Sequence, residues 1–298
     1  MKSVALVGGG KIGTAIAELL GGSGDYRVTV FDRDQASLER MPRRNVETRV
    51  ADIGDAREFA RALDGHDVVL SATPFSLTTT VAEAAKRAQA HYLDLTEDVE
   101  STRTIRRLAE GAETAFVPQC GLAPGFISIA AYDLSRKFEK LRDVQMRVGA
   151  LPVFPTNALK YNLTWSTDGL INEYCNPCES IRDGHRGEVP ALEELEAFSL
   201  DGISYEAFNT SGGLGTLCDT LEGKVENLNY KTARYPGHRD IVKMLVRDLH
   251  IRVINAATGE LLLDLILDTT RSYQPTGRPP GPPPVTPRPP RKRNNPEP

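Results

Sequence analysis

Cysteine is scarce, an excess of positive charge is missing, and no long apolar run occurs anywhere in the 298 residues. The four cysteines, Cys120, Cys175, Cys178 and Cys218, do not make the disulfide framework of a secreted protein. The early apolar run, Val4 to Val7, stops at three glycines and Lys11, and Glu18 charges the next segment. This is neither a secretion signal nor the roughly 18 apolar residues that span a bilayer. A cytoplasmic, reduced, soluble protein without a membrane partner is expected. The 36 basic and 40 acidic residues leave a net charge of −4, which disfavours nucleic-acid binding by the whole chain. What remains is ordinary globular material, 40% hydrophobic and 26% charged. Its length suits about two domains and a core that needs no disulfide or metal staple.

Proline is concentrated at one end. Eleven of the 20 prolines fall in residues 275–298. Arg271, Arg278, Arg288, Arg291, Lys292 and Arg293 face one acid, Glu297, so 271–298 carries +5 and the rest of the chain −9. Such a segment buries too little apolar surface to offset its ordering entropy, and a disordered or polyproline-like tail is expected.

The first 120 residues alternate short apolar runs with helical patterns. The runs are Ser3–Val7, Arg27–Phe31, Val46–Val50, Asp67–Ala72, Tyr92–Leu95 and Thr114–Val117. Helical spacing marks Ile12–Leu20, Ala56–Leu63, Leu77–Ala90 and Val99–Ala109. This pattern predicts an α/β fold with a doubly wound, parallel Rossmann sheet in residues 1–123. Beyond Gly121 the alternation stops. A helix at Phe126–Phe138, a strand at Val144–Leu151 and less periodic stretches after them predict an α+β domain over 124–249, for substrate binding and dimerisation. Residues 250–270 read as a hairpin of Ile251–Ile254 and Leu261–Leu267.

The first run leads into Gly8-Gly9-Gly10-Lys11-Ile12-Gly13, which opens the first helical segment. Gly8 permits the tight turn, Gly10 lets a pyrophosphate approach the backbone, and Gly13 allows close helix–strand packing. The helix N-terminus, with Lys11 and Ile12, supplies N–H groups to phosphate. Asp32 ends the second run 19 residues past Gly13. A carboxylate there accepts from the ribose hydroxyls and repels a 2′-phosphate, which predicts NAD, with NADP second. Arg33 beside it can hold a 2′-phosphate. Asp52-Ile53 should flank adenine, or Asp52 caps the following helix. Ala72-Thr73-Pro74 should lie near the nicotinamide ribose.

The segments after the sheet carry a family resemblance. Cys120-Gly121-Leu122-Ala123-Pro124-Gly125-Phe126 resembles the Gly-x-x-Pro-Gly loop of the saccharopine dehydrogenase-like oxidoreductases. Tyr161–Ser166, Gly169–Tyr174, Glu206–Thr210, Gly212–Thr216 and Arg234–His238 are similar as well, closest to the lysine 6-dehydrogenase branch. The resemblance spans about residues 1–249. It implies an NAD(P)-dependent enzyme acting on an amino-acid or amine substrate at a CH–NH2 group, by oxidative deamination of lysine. A saccharopine or carboxynorspermidine-type imine reductase is the alternative. It also implies a homodimer, and places Cys120, Gly121, Pro124 and Gly125 at the substrate.

Such chemistry needs a base for the amine, oxygens near the developing iminium and a cation for the substrate carboxylate. Asp94 and Glu97 are candidates for the amine, or else they cap the helix from Val99. Glu173 is a second candidate, or lies on a solvated helix face. Arg234 is the candidate carboxylate ligand, or one half of a surface ion pair. His238 is the candidate titrating group near neutral pH, or structural. Trp165 should build a pocket wall. One Cys175-x-x-Cys178 without a second pair is poor evidence for zinc, and no metal is expected.

After Leu249 the family pattern is not continued. His250–Leu262 and Tyr273–Pro279 resemble the C-terminal tail of actinobacterial insertion-sequence transposases. That resemblance implies a truncated chain, which binds NAD without turnover if the missing segment completes the pocket.

Overall fold

The computed structural model of the protein describes residues 1–54, 56–247, 250–254 and 261–266. The chain divides into two compact units, Met1–Lys243 and Met244–Pro298.

The first unit begins with β1 (Lys2–Val7), α1 (Lys11–Ser23), β2 (Tyr26–Asp32), α2 (Gln35–Glu39) and β3 (Val46–Val50). It continues through α3 (Ala56–Ala62), β4 (Val68–Ser71), α4 (Phe75–Arg87), β5 (His91–Asp94), α5 (Val99–Ala109) and β6 (Phe116–Val117). The six strands pair in the order β3-β2-β1-β4-β5-β6, and their pairings are parallel. This is the doubly wound order expected, with its reversal between β1 and β4. Both faces of β1 are buried: Ala5 and Val7 join a core with Phe31, Phe59, Val69 and Tyr92, while Leu6 packs with Ala17, Val28, Val30 and Leu38. Each such side chain contributes about 1.5–3 kcal/mol when fully buried, which explains why the run shows no polar alternation. The five-residue helix α2 was absent from the sequence reading. Asp34 caps it, accepting from the N–H groups of Ala36 and Ser37.

A second sheet follows. After α6 (Phe126–Ser135) come β7 (Leu141–Val148), α7 (Thr167–Cys175), β8 (Cys178–Arg182), β9 (His185–Val189), β10 (Glu196–Leu200) and β11 (Ile203–Asn209). Then come α8 (Leu217–Leu221), β12 (Val225–Arg234) and α9 (His238–Arg247). The sheet order is β10-β11-β12-β8-β9, and β7 also pairs with β12, in parallel. β7 starts three residues before the expected strand and α6 stops three before the end of the expected helix. Two hairpins, β8–β9 and β10–β11, turn on Asp183-Gly184 and Asp201-Gly202, with positive φ at both residues of each pair. A two-residue turn of the I′ type needs this, and Asp-Gly supplies it.

In the second unit, β13 (His250–Ile254) pairs antiparallel with β14 (Leu261–Ile266). The turn at 255–260, the end of the expected second strand at Leu267, and the Pro/Arg-rich stretch 271–298 lie outside the described residues.

Candidate active site

A cleft of about 630 Å³ runs along the carboxyl ends of the parallel strands. Gly8, Gly10, Lys11 and Ile12 line it after β1, Asp32 and Arg33 at β2, and Asp52 and Ile53 after β3. Ala72, Thr73 and Pro74 follow β4, Leu95, Thr96 and Glu97 follow β5, and Thr164, Trp165 and Ser166 complete the wall before α7. Its size suits a cofactor or substrate site, and it lies at the strand-order reversal. Eleven of the twelve cofactor residues read from the sequence line it. The twelfth, Gly13, packs beneath the loop, where any Cβ would collide with the Gly8 carbonyl oxygen.

The loop has the shape a dinucleotide requires. Gly8 holds a φ of +108°, and a Cβ on it would sit 2.7 Å from the Ala72 oxygen. At Gly10 a Cβ would meet nothing within 4 Å, so the space above it is open cleft. No side chain caps α1, whose N-cap is Gly10, so its first N–H groups point outward for phosphate. These residues fit a nicotinamide dinucleotide.

Asp32 is half-buried, and each of its oxygens already accepts a main-chain N–H: Gly9 donates to Oδ2 at 2.6 Å and Asp34 to Oδ1 at 2.8 Å. The carboxylate ties the glycine loop to β2. Arg33 is exposed on the cleft wall. Asp52 accepts from the Gly54 N–H at 2.9 Å, holding a local turn at the cleft edge.

The other end of the strand order is built differently. Asp98, rather than Asp94 or Glu97, caps α5: its Oδ2 accepts from the Ser101 N–H at 2.7 Å. An Asn172 amide donates to its Oδ1 at 3.1 Å. Asp94 is buried and lies outside the cleft lining. Its Oδ1 accepts from the N–H groups of Thr96 and Gln119, both at 3.0 Å, and it folds the segment rather than facing the cleft. Glu97 is released from capping. It is 8% exposed, lines the cleft, and its Oε1 is a buried atom without a hydrogen-bond partner. Burial, with the charges of Asp98 and Asp94 adding to it, pushes its carboxyl up to about 7.

Glu173 is 6% exposed, so it does not lie on a solvated helix face. Burial pushes it up to about 8; the charge of Glu97 adds to this and that of Arg234 opposes it. Arg234 is likewise buried, and among the described residues it forms no ion pair at the surface. Its Nε donates to the Tyr174 hydroxyl at 3.2 Å, its Nη1 to the Ala233 carbonyl at 2.9 Å, and its guanidinium lies 4.4 Å over the Tyr161 ring. Tyr161 in turn accepts from Trp165 Nε1 at 3.1 Å. His238 is buried within this set, Nδ1 lying 2.8 Å from the Leu159 carbonyl and Nε2 3.0 Å from the Tyr174 hydroxyl. The carbonyl can only accept, so Nδ1 carries the proton and Nε2 accepts from Tyr174. Burial holds the His238 pKa down, which keeps the ring neutral. Neither Arg234 nor His238 lines the cleft. Instead they position Tyr161 and Tyr174 behind its wall.

Cys120, Gly121, Pro124 and Gly125 form a tight loop after β6 and do not line the cleft. Cys175 is exposed and Cys178 buried. Thr96, Thr164, Ser166, Tyr161 and Tyr174 escaped assignment, although the last four sit inside the quoted motifs.

Two family models match the chain: the saccharopine dehydrogenase NADP binding domain over residues 4–117, and the saccharopine dehydrogenase C-terminal domain over 121–259. The second match extends ten residues past Leu249, where the resemblance was read to end. The saccharopine dehydrogenase (NADP(+), L-glutamate-forming) of Pyricularia oryzae is 23% identical over 82% of this chain and 57% of its own length. That of Schizosaccharomyces pombe is 21% identical over 83% of this chain and 57% of its own. The chain thus spans a little over half the length of these curated relatives. The apo, histidine-tagged saccharopine dehydrogenase (L-Glu forming) of Saccharomyces cerevisiae matches with a TM-score of 0.66 and 23% identity. That match covers 83% of this chain and 58% of the yeast chain. The family model and both curated relatives carry NADP in their descriptions, against the order of preference read from Asp32.

Proposed function

The chain belongs to the saccharopine dehydrogenase family, and we propose that it is an NAD(P)-dependent oxidoreductase acting on a carbon–nitrogen bond of an amino acid. One observation carries the reading: Glu97, one of whose carboxylate oxygens is buried without a hydrogen-bond partner among the described residues, lines the same cleft as the phosphate-binding loop. In this reading the adenosine half lies by Asp32 and Asp52, and the substrate lies between Glu97 and Trp165. When bound, the nicotinamide ring takes up or delivers the hydride.

Glu97 does the proton work. An ammonium group cannot release a hydride from its carbon, so its proton must leave first, to a base with a pKa near the working pH. At about 7, Glu97 is such a base, whereas an ordinary glutamate at 4.5 would be too weak. Once that proton has passed on to solvent, its negative charge favours the cationic iminium that forms beside it. Trp165, held by Tyr161, excludes water from that end.

The substrate reading kept first is the ε-amine of lysine, from the motif resemblance. The descriptions of the relatives favour a second, a secondary amine of the saccharopine type. For the cofactor, the relatives' descriptions, exposed Arg33 and the main-chain engagement of both Asp32 oxygens favour NADP. The presence of a carboxylate at the end of β2 favours NAD as the second reading. Steady-state reduction of NADP+ and NAD+ with lysine and with saccharopine tests all four combinations. Tighter NADP+ binding supports the cofactor assignment and equal or tighter NAD+ binding reverses it. No turnover with either amine removes the proposed activity.

A further inference from the structure

Glu97 and Glu173 come from segments 76 positions apart, yet the fold sets Glu97 against the helix that carries Glu173. Gly169 lies one helical turn before Glu173 on α7, and a Cβ on Gly169 would sit 2.7 Å from Glu97 Oε1. The next segment closes the same corner from behind. The Ser211 N–H donates to the Glu173 carbonyl at 3.0 Å, and Gly212, at a φ of +81°, packs on the Glu97 main chain so tightly that no Cβ fits. Both carboxyl groups are buried, and one Glu97 oxygen has no partner.

The charges facing the pair are few. Glu97 has Asp94 and Asp98 on its own segment and Glu173 across from α7. Glu173 has Arg234 and Tyr230 from β12 and its neighbour Tyr174. Arg234 supplies one positive charge against the two carboxylates. Two buried carboxylates cannot both ionise cheaply beside one another, and one counter-charge suits a pair that holds one proton.

We propose that Glu97 and Glu173 act as one unit that shares a proton, Glu97 exchanging protons with the substrate nitrogen and Glu173 staying protonated so that Glu97 can ionise. Glu173 is therefore a positioning residue, acting through Glu97. When the ammonium proton passes to Glu97, its N–H bond breaks, an O–H bond forms, and the pair goes from one proton to two. Release of one proton to solvent restores the starting state. The step rests on the proposed amine chemistry, but the shared proton belongs to the protein alone and is testable without substrate.

The test is carbon-13 NMR of the full chain labelled at the glutamate side-chain carboxyl, titrated across the range that contains about 7 and about 8. Glu97→Gln and Glu173→Gln assign the two signals. In Glu97→Gln the Glu173 carboxyl should titrate lower by about one unit or more, because its charged neighbour is gone, whereas in Glu173→Gln, where the amide stands in for the protonated carboxyl, Glu97 should still titrate near 7. Glu97→Asp, which keeps the charge, should restore most of the shift in Glu173. Dinucleotide affinity in the same samples reports an intact cleft, and Glu97→Gln supplies the reciprocal measurement should Glu173→Gln not fold. If Glu173 titrates unchanged when Glu97 is replaced, the two are independent and the proposal is overturned. If wild type binds neither NADP+ nor NAD+, the proposed function fails while the titration still decides the shared proton.

Discussion

The two ends of the cleft use the same chemical group in opposite ways. At the β2 end, Asp32 is half-buried and both its oxygens accept main-chain N–H groups, one from the glycine loop at Gly9 and one from Asp34 after β2. After β5, Glu97 is buried, one oxygen has no partner, and its neighbours are acidic. A carboxylate supplied with donors serves architecture and binding. One buried among other carboxyl groups keeps a proton near neutral pH and becomes available for chemistry. The difference arises from the backbone around each residue, not from residue type.

The largest effect should come from breaking the β1 loop. Gly10→Val fills the open space above the loop with a branched side chain, so binding of NADP+ and NAD+ should fall below detection while circular dichroism stays that of wild type. Retained affinity in a folded variant would show that the phosphate site is elsewhere. Asp32→Ala removes a hydrogen bond from the Gly9 N–H of the loop, worth about 1.5–3 kcal/mol, and a second from Asp34 after β2. Affinity for both dinucleotides should drop at least tenfold by fluorescence titration, and the NADP+ to NAD+ ratio should move toward NADP+. An unchanged ratio would separate Asp32 from cofactor choice.

The smallest effect should appear in stability against pH, and it tests the buried end. Glu97 and Glu173 bind protons more tightly folded than unfolded, so folding takes up protons between 4.5 and about 8. Their contribution to stability therefore falls as pH rises through that window. His238 acts in the other sense, its lowered pKa making stability rise toward 6.5. Glu173→Gln should flatten the decline above neutral pH in urea-unfolding midpoints. A slope identical to wild type would mean that Glu173 does not carry its proton in the folded state.

The parallel sheet was legible because burial on both faces leaves β1 an unbroken apolar run, and because the glycine loop joins a strand to a helix. The second sheet was not, since strands such as β9 (His185–Val189) are largely exposed and polar. Yet Asp183-Gly184 and Asp201-Gly202 are hairpin signals of the strongest local kind, and they went unread. At the site, the cofactor residues were legible because strand ends place them. The segment from Asp94 to Asp98 was not, since five residues rich in acids and hydroxyls offer several possible caps. Only the hydrogen bond to the Ser101 N–H selects Asp98 and frees Glu97. The burial of Glu173, Arg234 and His238 depends on contacts between segments far apart in sequence.

The central claim is that binding and chemistry belong to opposite ends of one cleft, and Glu97→Gln tests it most directly. The substitution keeps the shape of the side chain and removes its ability to take a proton. Dinucleotide affinity should remain within a few-fold of wild type, while kcat for amine oxidation should fall by about 10²–10⁴ and lose its dependence on a group titrating near 7. Wild-type turnover in Glu97→Gln, with its pH profile intact, would contradict the account.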